Sequence, residues 1–275
     1  MLVGYLGPKG SFSHQVAQKA FPKADLIPYH TITEVIKAYE NRLVNFSIVP
    51  VENSIEGSVH ETLDYLFHHA QLQTIVELIQ PIKQQLMVSN LGNPIEKIFS
   101  HPQALAQSKV YIQKHYPDAL IEMTASTASA ARLVAEYQDK PYAAIAPESA
   151  AFEYDLQIVA RDVQEMSENF TRFWVLGIEI PILSLASLGF KQTLALTLPD
   201  NLPGALYKAL SVFAWRGIDL TKIESRPLKT ALGEYFFILD VDGRQEKLLQ
   251  FALEELATIG ITFKILGHYQ VYLIE

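Results

Sequence analysis

Cysteine is absent from the 275-residue chain. That absence excludes thiol nucleophiles, CxxC redox chemistry, iron–sulfur ligation and cysteine zinc sites together, and it leaves a reducing compartment permissible. Positive charge is also scarce. Lys and Arg number 22 against 30 Asp and Glu, a formal net charge of -8, which opposes a long polyanion, so nucleic acid is not expected as a partner. No uninterrupted apolar run is long enough to span a membrane: the greasiest region, residues 173–190, is broken by Glu179, Pro181, two serines and two glycines and reads as a strand plus a linker. Residues 1–10 carry no basic stretch ahead of their apolar residues, so no secretory or transit leader is expected. A cytoplasmic location follows as the expectation.

The length suggests two domains of roughly 150 residues each, with about 70 to 75% of the unfolded surface buried on folding and no need for a metal or disulfide staple. Up to about residue 180, short apolar runs alternate with segments of helical period, the pattern of α/β units around a largely parallel sheet. Strands are expected at residues 2–6, 46–49, 74–78, 86–88, 97–99, 120–123, 142–145 and 173–177, and helices at 13–20, 33–40, 58–68, 103–114 and 127–136. Several helices open on a Ser or Thr able to cap backbone N–H groups, with the cap-like Ser11, Ser126 and Thr127 each following or bounding an expected strand, and such ends attract anions. The small, uncharged stretch 184–189 reads as a linker. Beyond it the pattern strand 190–197, helix 204–214, strand 220–224, strand 235–241, helix 245–256 and strand 262–274 gives βαββαβ, the ferredoxin-like split βαβ plan.

Four segments could carry chemistry. GYLGPKGSFSH (residues 4–14) follows the first strand and offers a loop of backbone N–H groups to an anion, or is a plain strand-to-helix turn; it lacks the spacing of either nucleotide-binding glycine motif. PVENSIEGSVHETLD (50–64) sets Glu52, Asn53 and Ser54 at the carboxyl end of a strand, where ligands collect in open α/β sheets, although such residues also cap helices. His60-Glu61 does not extend to HExxH, because Asp64 stands where the second histidine belongs, so no metal site is expected. SHPQALAQ (100–107) puts Gln103 and Gln107 on one helical face, able to orient oxygens but not to act as bases. NFTRF (169–173) brings Thr171 and Arg172 to the entrance of an apolar strand, where Arg172 holds a carboxylate bidentately or only pairs at the surface.

Taken together with STASAA (126–131) and AAIAPESAA (143–151), these segments resemble the prephenate dehydratases over nearly the whole chain. NLPGALYKAL (201–210) and LTKIESRP (220–227) resemble the ACT regulatory domain that commonly follows. The resemblance implies an α/β fold with a two-lobed catalytic domain at residues 1–182, like a type II periplasmic binding protein, and an ACT domain at 183–275. Lobe one takes about 1–78 and 158–182, and lobe two about 79–157; no chorismate mutase segment is expected ahead of them. It implies loss of water and carbon dioxide from prephenate to give phenylpyruvate in phenylalanine biosynthesis, without a cofactor. Thr171 is the family's essential threonine by position and is expected to donate to the departing oxygen, while Asn53, Ser100 and Gln107 hold substrate oxygens. Ser11, where the family usually has Thr, joins Ser13, Glu52, Ser54, Thr127, Arg172 and Phe173 as expected substrate contacts. Phenylalanine is the implied effector, at Asn201, Leu202, Pro203, Gly204, Ala205, Leu206, Glu224, Ser225, Arg226 and Pro227, in a homodimer or homotetramer. Arogenate dehydratase and a non-catalytic amino-acid-sensing protein are the alternatives.

Overall fold

The structure, a computed structural model, describes residues 1–92, 94–198, 203–228 and 235–274. In chain order the first elements are β1 (Leu2–Leu6), α1 (Phe12–Ala20), β2 (Asp25–Tyr29), α2 (Ile32–Glu40), β3 (Phe46–Asn53), β4 (Gly57–Ser58), α3 (His60–His68), β5 (Thr74–Pro81) and β6 (Gln85–Val88). There follow β7 (Lys97–Ser100), α4 (Pro102–Gln107), α5 (Lys109–His115), β8 (Leu120–Met123), α6 (Thr127–Glu136), β9 (Tyr142–Ala146), α7 (Glu148–Tyr154), β10 (Gln157–Ala160) and β11 (Phe170–Leu176). The last are β12 (Ala186–Thr197), α8 (Ala205–Ala214), β13 (Leu220–Pro227), β14 (Tyr235–Asp242), α9 (Glu246–Thr258) and β15 (Thr262–Leu273). Two compact units divide them: Met1–Thr62 and Ile79–Phe173 with Ile274 form the first, Leu63–Leu78 and Trp174–Leu273 the second.

In the first unit β11, β3, β1 and β2 lie in that order, with β1 parallel to both β2 and β3. A separate sheet runs β10-β6-β9-β7-β8. Its β7 is parallel to β8 and β9, but β6 is antiparallel to β9 and β10, so the unit is built on mixed rather than largely parallel pairing. The caps read from the sequence are in place at α1 and α6, where Ser11 accepts from the His14 N–H and Ser126 from that of Ser129, each satisfying a helix-end donor. Ala128, Ala130 and Ala131 of α6 are fully buried, and Ala130 and Ala131 pack among Met87, Phe99, Ala144 and Ala146. Alanine at these positions lets the helix approach the sheet closely.

Several boundaries differ from expectation for identifiable reasons. Strand β3 runs on through Pro50 to Asn53; its pairing with β1 covers only Phe46, Ser47 and Ile48, so the missing proline donor leaves no gap in that ladder. Strand β11 begins at Phe170, which puts Thr171 and Arg172 inside the strand. The helix expected over 103–114 breaks at Ser108, whose ψ of 13° ends α4 and whose N–H bonds back to Ala104 and Leu105. Strand β2 was not expected at all: Asp25 and Pro28 disguise it, and an edge position tolerates both. The stretch read as a linker, 184–189, contains the start of β12.

The second unit carries the βαββαβ order in an antiparallel sheet β13-β14-β12-β15, with β5 beside β15. Leu194 and Leu196 of β12 and Leu239 and Val241 of β14 meet Val212 and Phe213 of α8 and Leu249 and Leu256 of α9 in one core, while the alternate Thr193 and Asp240 face the other way, joined at 2.6 Å. Phe236, on that reverse face, stacks on Phe67 of α3 with ring centres 3.8 Å apart. Among the described residues no helix is long and apolar enough to cross a membrane.

Candidate active site

The first unit holds a cavity of about 360 Å³, within the size range of small-molecule sites, roughly 300–1,000 Å³. Its walls come from the carboxyl ends of strands and the loops after them: Leu6, Gly7, Pro8, Ser11, Phe12 and Ser13 after β1, Pro50, Asn53 and Glu56 at the end of β3, Thr171 on β11, His101, Gln103, Ala104 and Gln107 after β7, and Ala125, Ser126 and Thr127 after β8. Ile82 and Gln84 close it between β5 and β6. Open α/β sheets bind ligands at this edge.

Neutral hydrogen-bonding groups dominate the lining. Asn53 Nδ2 donates to Thr171 Oγ1 at 2.9 Å, to Asn169 Oδ1 at 2.9 Å and more weakly to the Phe170 carbonyl at 3.2 Å. Asn53 Oδ1 accepts from the N–H groups of Ile55 and Glu56, so the turn that leaves β3 is folded around this one side chain. Asn169, only 1% exposed, donates from Nδ2 to Gln107 Oε1 at 3.2 Å. The first turns of α1 and α6 also face the cavity, through Phe12 and Ser13 and through Thr127, bringing the positive ends of two helix dipoles to one space. Behind the β1–α1 loop, His14 Nδ1 accepts from the Gly10 N–H at 2.9 Å and its ring stacks on Tyr5 at 5.1 Å. Burial lowers the pKa of His14 and raises that of Tyr5. Ser149 of α7 donates to the Gly10 carbonyl at 3.1 Å and Tyr154 Oη to the Lys9 carbonyl at 2.9 Å, so α7, which starts within the AAIAPESAA segment, secures this loop from the other side.

The family model for prephenate dehydratase matches residues 3–180. The chain belongs to the prephenate dehydratase family. It is 50% identical over 274 residues to the prephenate dehydratase of Lactococcus lactis subsp. cremoris, covering 99% of this chain and 98% of that one. Among solved structures, the prephenate dehydratase of Streptococcus mutans is 47% identical with a TM-score of 0.66, covering 99% of each chain. That of Arthrobacter aurescens, solved in complex with L-Phe, is 31% identical with a TM-score of 0.83, covering 98% of this chain and 90% of the other.

Of the residues singled out on the resemblance to the prephenate dehydratases, Thr171, Asn53, Gln107, Ser11, Ser13 and Thr127 all line the cavity. The others lie elsewhere. Ser100 has no exposed surface, and its hydroxyl donates to the Ile145 carbonyl at 2.5 Å. Arg172 Nη1 meets Glu52 Oε2 at 2.5 Å, and neither residue is in the wall. Ser54 ties its hydroxyl to the Phe170 N–H at 3.0 Å, and Phe173 is buried. In the second unit Asn201 and Leu202 fall outside the described residues; Pro203 precedes Gly204, which caps α8 at φ +83°, Ala205 and Leu206 begin that helix, and Glu224, Ser225, Arg226 and Pro227 end β13. Arg226 grips Asp64 through Nη2 at 2.9 and 3.1 Å and Nε at 3.2 Å, and Glu224 pairs with Lys222. Sequence reasoning missed Gln84, which sits in a loop without a motif, and the contacts of Asn169, although NFTRF contains it.

Proposed function

We propose that prephenate binds in this cavity and leaves it as phenylpyruvate, carbon dioxide and water. The C4 hydroxyl departs with one proton taken up, the electron pair of the bond to the C1 carboxylate moves into the ring as carbon dioxide leaves, and the ring becomes aromatic. Such a step asks for stabilisation of the departing oxygen and for a fixed geometry. The observation that carries the assignment is the 2.9 Å bond from Asn53 to Thr171 Oγ1: with its lone pair engaged, the threonine hydroxyl has its hydrogen left to donate. Gln107 and the first turns of α1 and α6 serve the remaining substrate oxygens, the two carboxylates included. Ser100 acts behind the wall, holding β7 to β9 so that His101 enters it, and Arg172 with Glu52 stiffens the strand ends that carry Thr171 and Asn53. Purified protein incubated with prephenate and with arogenate tests the reading: phenylpyruvate from prephenate supports it, and no consumption of prephenate ends it.

The βαββαβ order, the ESRP segment and the L-Phe-bound relative support a further part of the proposal. Residues 183–275 serve as an ACT regulatory domain, residues 1–182 as the catalytic domain, and phenylalanine binds near Gly204 and Glu224–Pro227 in a homodimer or homotetramer. Feedback of this kind requires that phenylalanine bind the less active state more tightly. The reaction belongs to the cytoplasm, where a chain without cysteine needs no oxidising compartment.

A further inference from the structure

Backbone N–H groups can only donate, so the two that meet Asn53 Oδ1, from Ile55 at 3.0 Å and Glu56 at 3.1 Å, decide which end of that amide is oxygen. Asn53 Nδ2 therefore faces Asn169, and what it meets at 2.9 Å must be an oxygen. This sets the second amide. With Oδ1 toward Asn53, Asn169 presents Nδ2 to Gln107, which has to answer with Oε1, at 3.2 Å. The third amide is set in turn: its oxygen is engaged, and Nε2, buried and without a partner among the described residues, is the end left over on a residue that lines the cavity. Asn169 is itself 1% exposed and its carbonyl accepts from the Ile82 N–H at 2.8 Å, which leaves the side chain little freedom to turn over.

We infer that Asn169 is a positioning residue for the dehydration, passing the orientation imposed by the turn after β3 to Gln107 and making Gln107 a hydrogen-bond donor toward the substrate. The inference rests on the proposal that prephenate occupies the cavity. Prephenate shows it two carboxylates, a ketone and a leaving hydroxyl, so oxygen acceptors dominate and a reversed Gln107 amide would oppose oxygen with oxygen. Asn53 thereby serves both ends of the site, Thr171 directly and Gln107 through Asn169.

Asn169→Asp is the isosteric test. The carboxylate still accepts from Asn53 but cannot donate to Gln107, whose amide then turns its nitrogen toward Asp and its oxygen toward the cavity. Removal of one preorganised donor lowers turnover on the order of 10²-fold, and kcat/KM of the variant should fall by about that factor while its far-ultraviolet spectrum stays that of the wild type and the buried carboxylate lowers only its unfolding temperature. The deciding measurement is the cycle with Gln107→Leu. If Asn169 acts through Gln107, the double variant is no slower than Gln107→Leu alone to within about threefold; losses that multiply in full overturn the inference. Should Asn169→Asp fail to fold, Gln107→Glu decides. One carboxylate oxygen accepts from Asn169 and the other faces the cavity, so activity relative to the wild type should rise as pH falls from about 8 to about 5 and the carboxyl gains a proton to donate. A flat ratio over that range overturns the inference. Wild-type turnover of prephenate is measured first: its absence removes the cavity proposal and this inference with it, whereas an active wild type with multiplicative losses removes the inference alone.

Discussion

A threonine hydroxyl ionises too weakly to hand over a proton unaided, and its usefulness comes from direction. Because Thr171 Oγ1 accepts from Asn53, its hydrogen points elsewhere, and the residue lines the cavity. Thr171→Ala should therefore lower kcat by about 10²- to 10³-fold, the usual cost of one donor to developing charge, with KM within about threefold and no change in the unfolding midpoint, since Asn53 keeps Asn169 Oδ1 and the Phe170 carbonyl. Thr171→Ser retains the oxygen and should stay within about tenfold of the wild type. Steady-state kinetics with prephenate read both, and near-normal kcat in the alanine variant would remove the assigned role. A second residue gives the site a pH limit. Burial holds the His14 pKa below the ordinary 6.5, nearby Lys9 acting in the same direction and Glu153 against it. Nδ1 must stay unprotonated to accept from Gly10. A depressed folded pKa means that the contribution is complete above 6.5 and is lost as pH drops from there through the folded value. The unfolding temperature of the wild type should thus fall more steeply on acidification than that of His14→Gln, whose amide oxygen can still accept; parallel curves would exclude His14 as the group concerned.

At the scale of elements, close approach of two strands in the second unit makes one glycine indispensable. A Cβ on Gly267 of β15 would stand 2.5 Å from the Thr74 carbonyl oxygen and 2.7 Å from Thr74 Cβ, at the start of β5. The first of these is backbone, which cannot swing aside as a side-chain tip can. Gly267→Ala should destabilise by about 1–3 kcal/mol, the cost of overpacking, read as a lower urea midpoint with an unchanged slope; an unchanged midpoint would mean that the strands separate freely. How far such features can be read from the chain depends on their range. The caps of α1 and α6 and the bounds of β1, β8 and α6 were legible because caps and local hydrophobic periodicity write themselves into a few consecutive residues. Strand β2 was not, since nothing local distinguishes an edge strand containing Asp25 and Pro28 from a loop. The convergence of Asn53 with Thr171, 118 positions later, and of Gln107 with Asn169, 62 apart, is written in no local pattern. Only the family resemblance pointed to Thr171, Asn53 and Gln107 together, and Asn169 needed the directions of the amide bonds.

For the molecule as a whole, the effector proposal has a thermodynamic consequence separate from catalysis. A ligand that binds only the folded chain stabilises it by about 2.7 kcal/mol at a concentration 100 times its Kd, which for a protein of this size amounts to an upward shift of about 5 °C in the unfolding temperature. Phenylalanine should produce that shift. Gly204 and Arg226 should govern it for different reasons. Gly204 caps α8 at φ +83° with open space where a Cβ would stand, so Gly204→Val acts by backbone strain and not by collision. Arg226 holds Asp64 with side chains 11% and 15% exposed, so Arg226→Ala also leaves a partly buried carboxylate without that partner and should lower the unfolding temperature even without ligand. Adding Asp64→Asn to Arg226→Ala should then restore part of the ligand-free stability, because the partly buried charge that Arg226 offset is removed with it, while leaving phenylalanine affinity reduced. Calorimetric titration and thermal scans on the two single variants and the double variant separate these contributions: wild-type affinity in both Gly204→Val and Arg226→Ala would place the effector on another surface, and a double variant less stable than Arg226→Ala would show that Asp64 has a stabilising role beyond its pairing with Arg226.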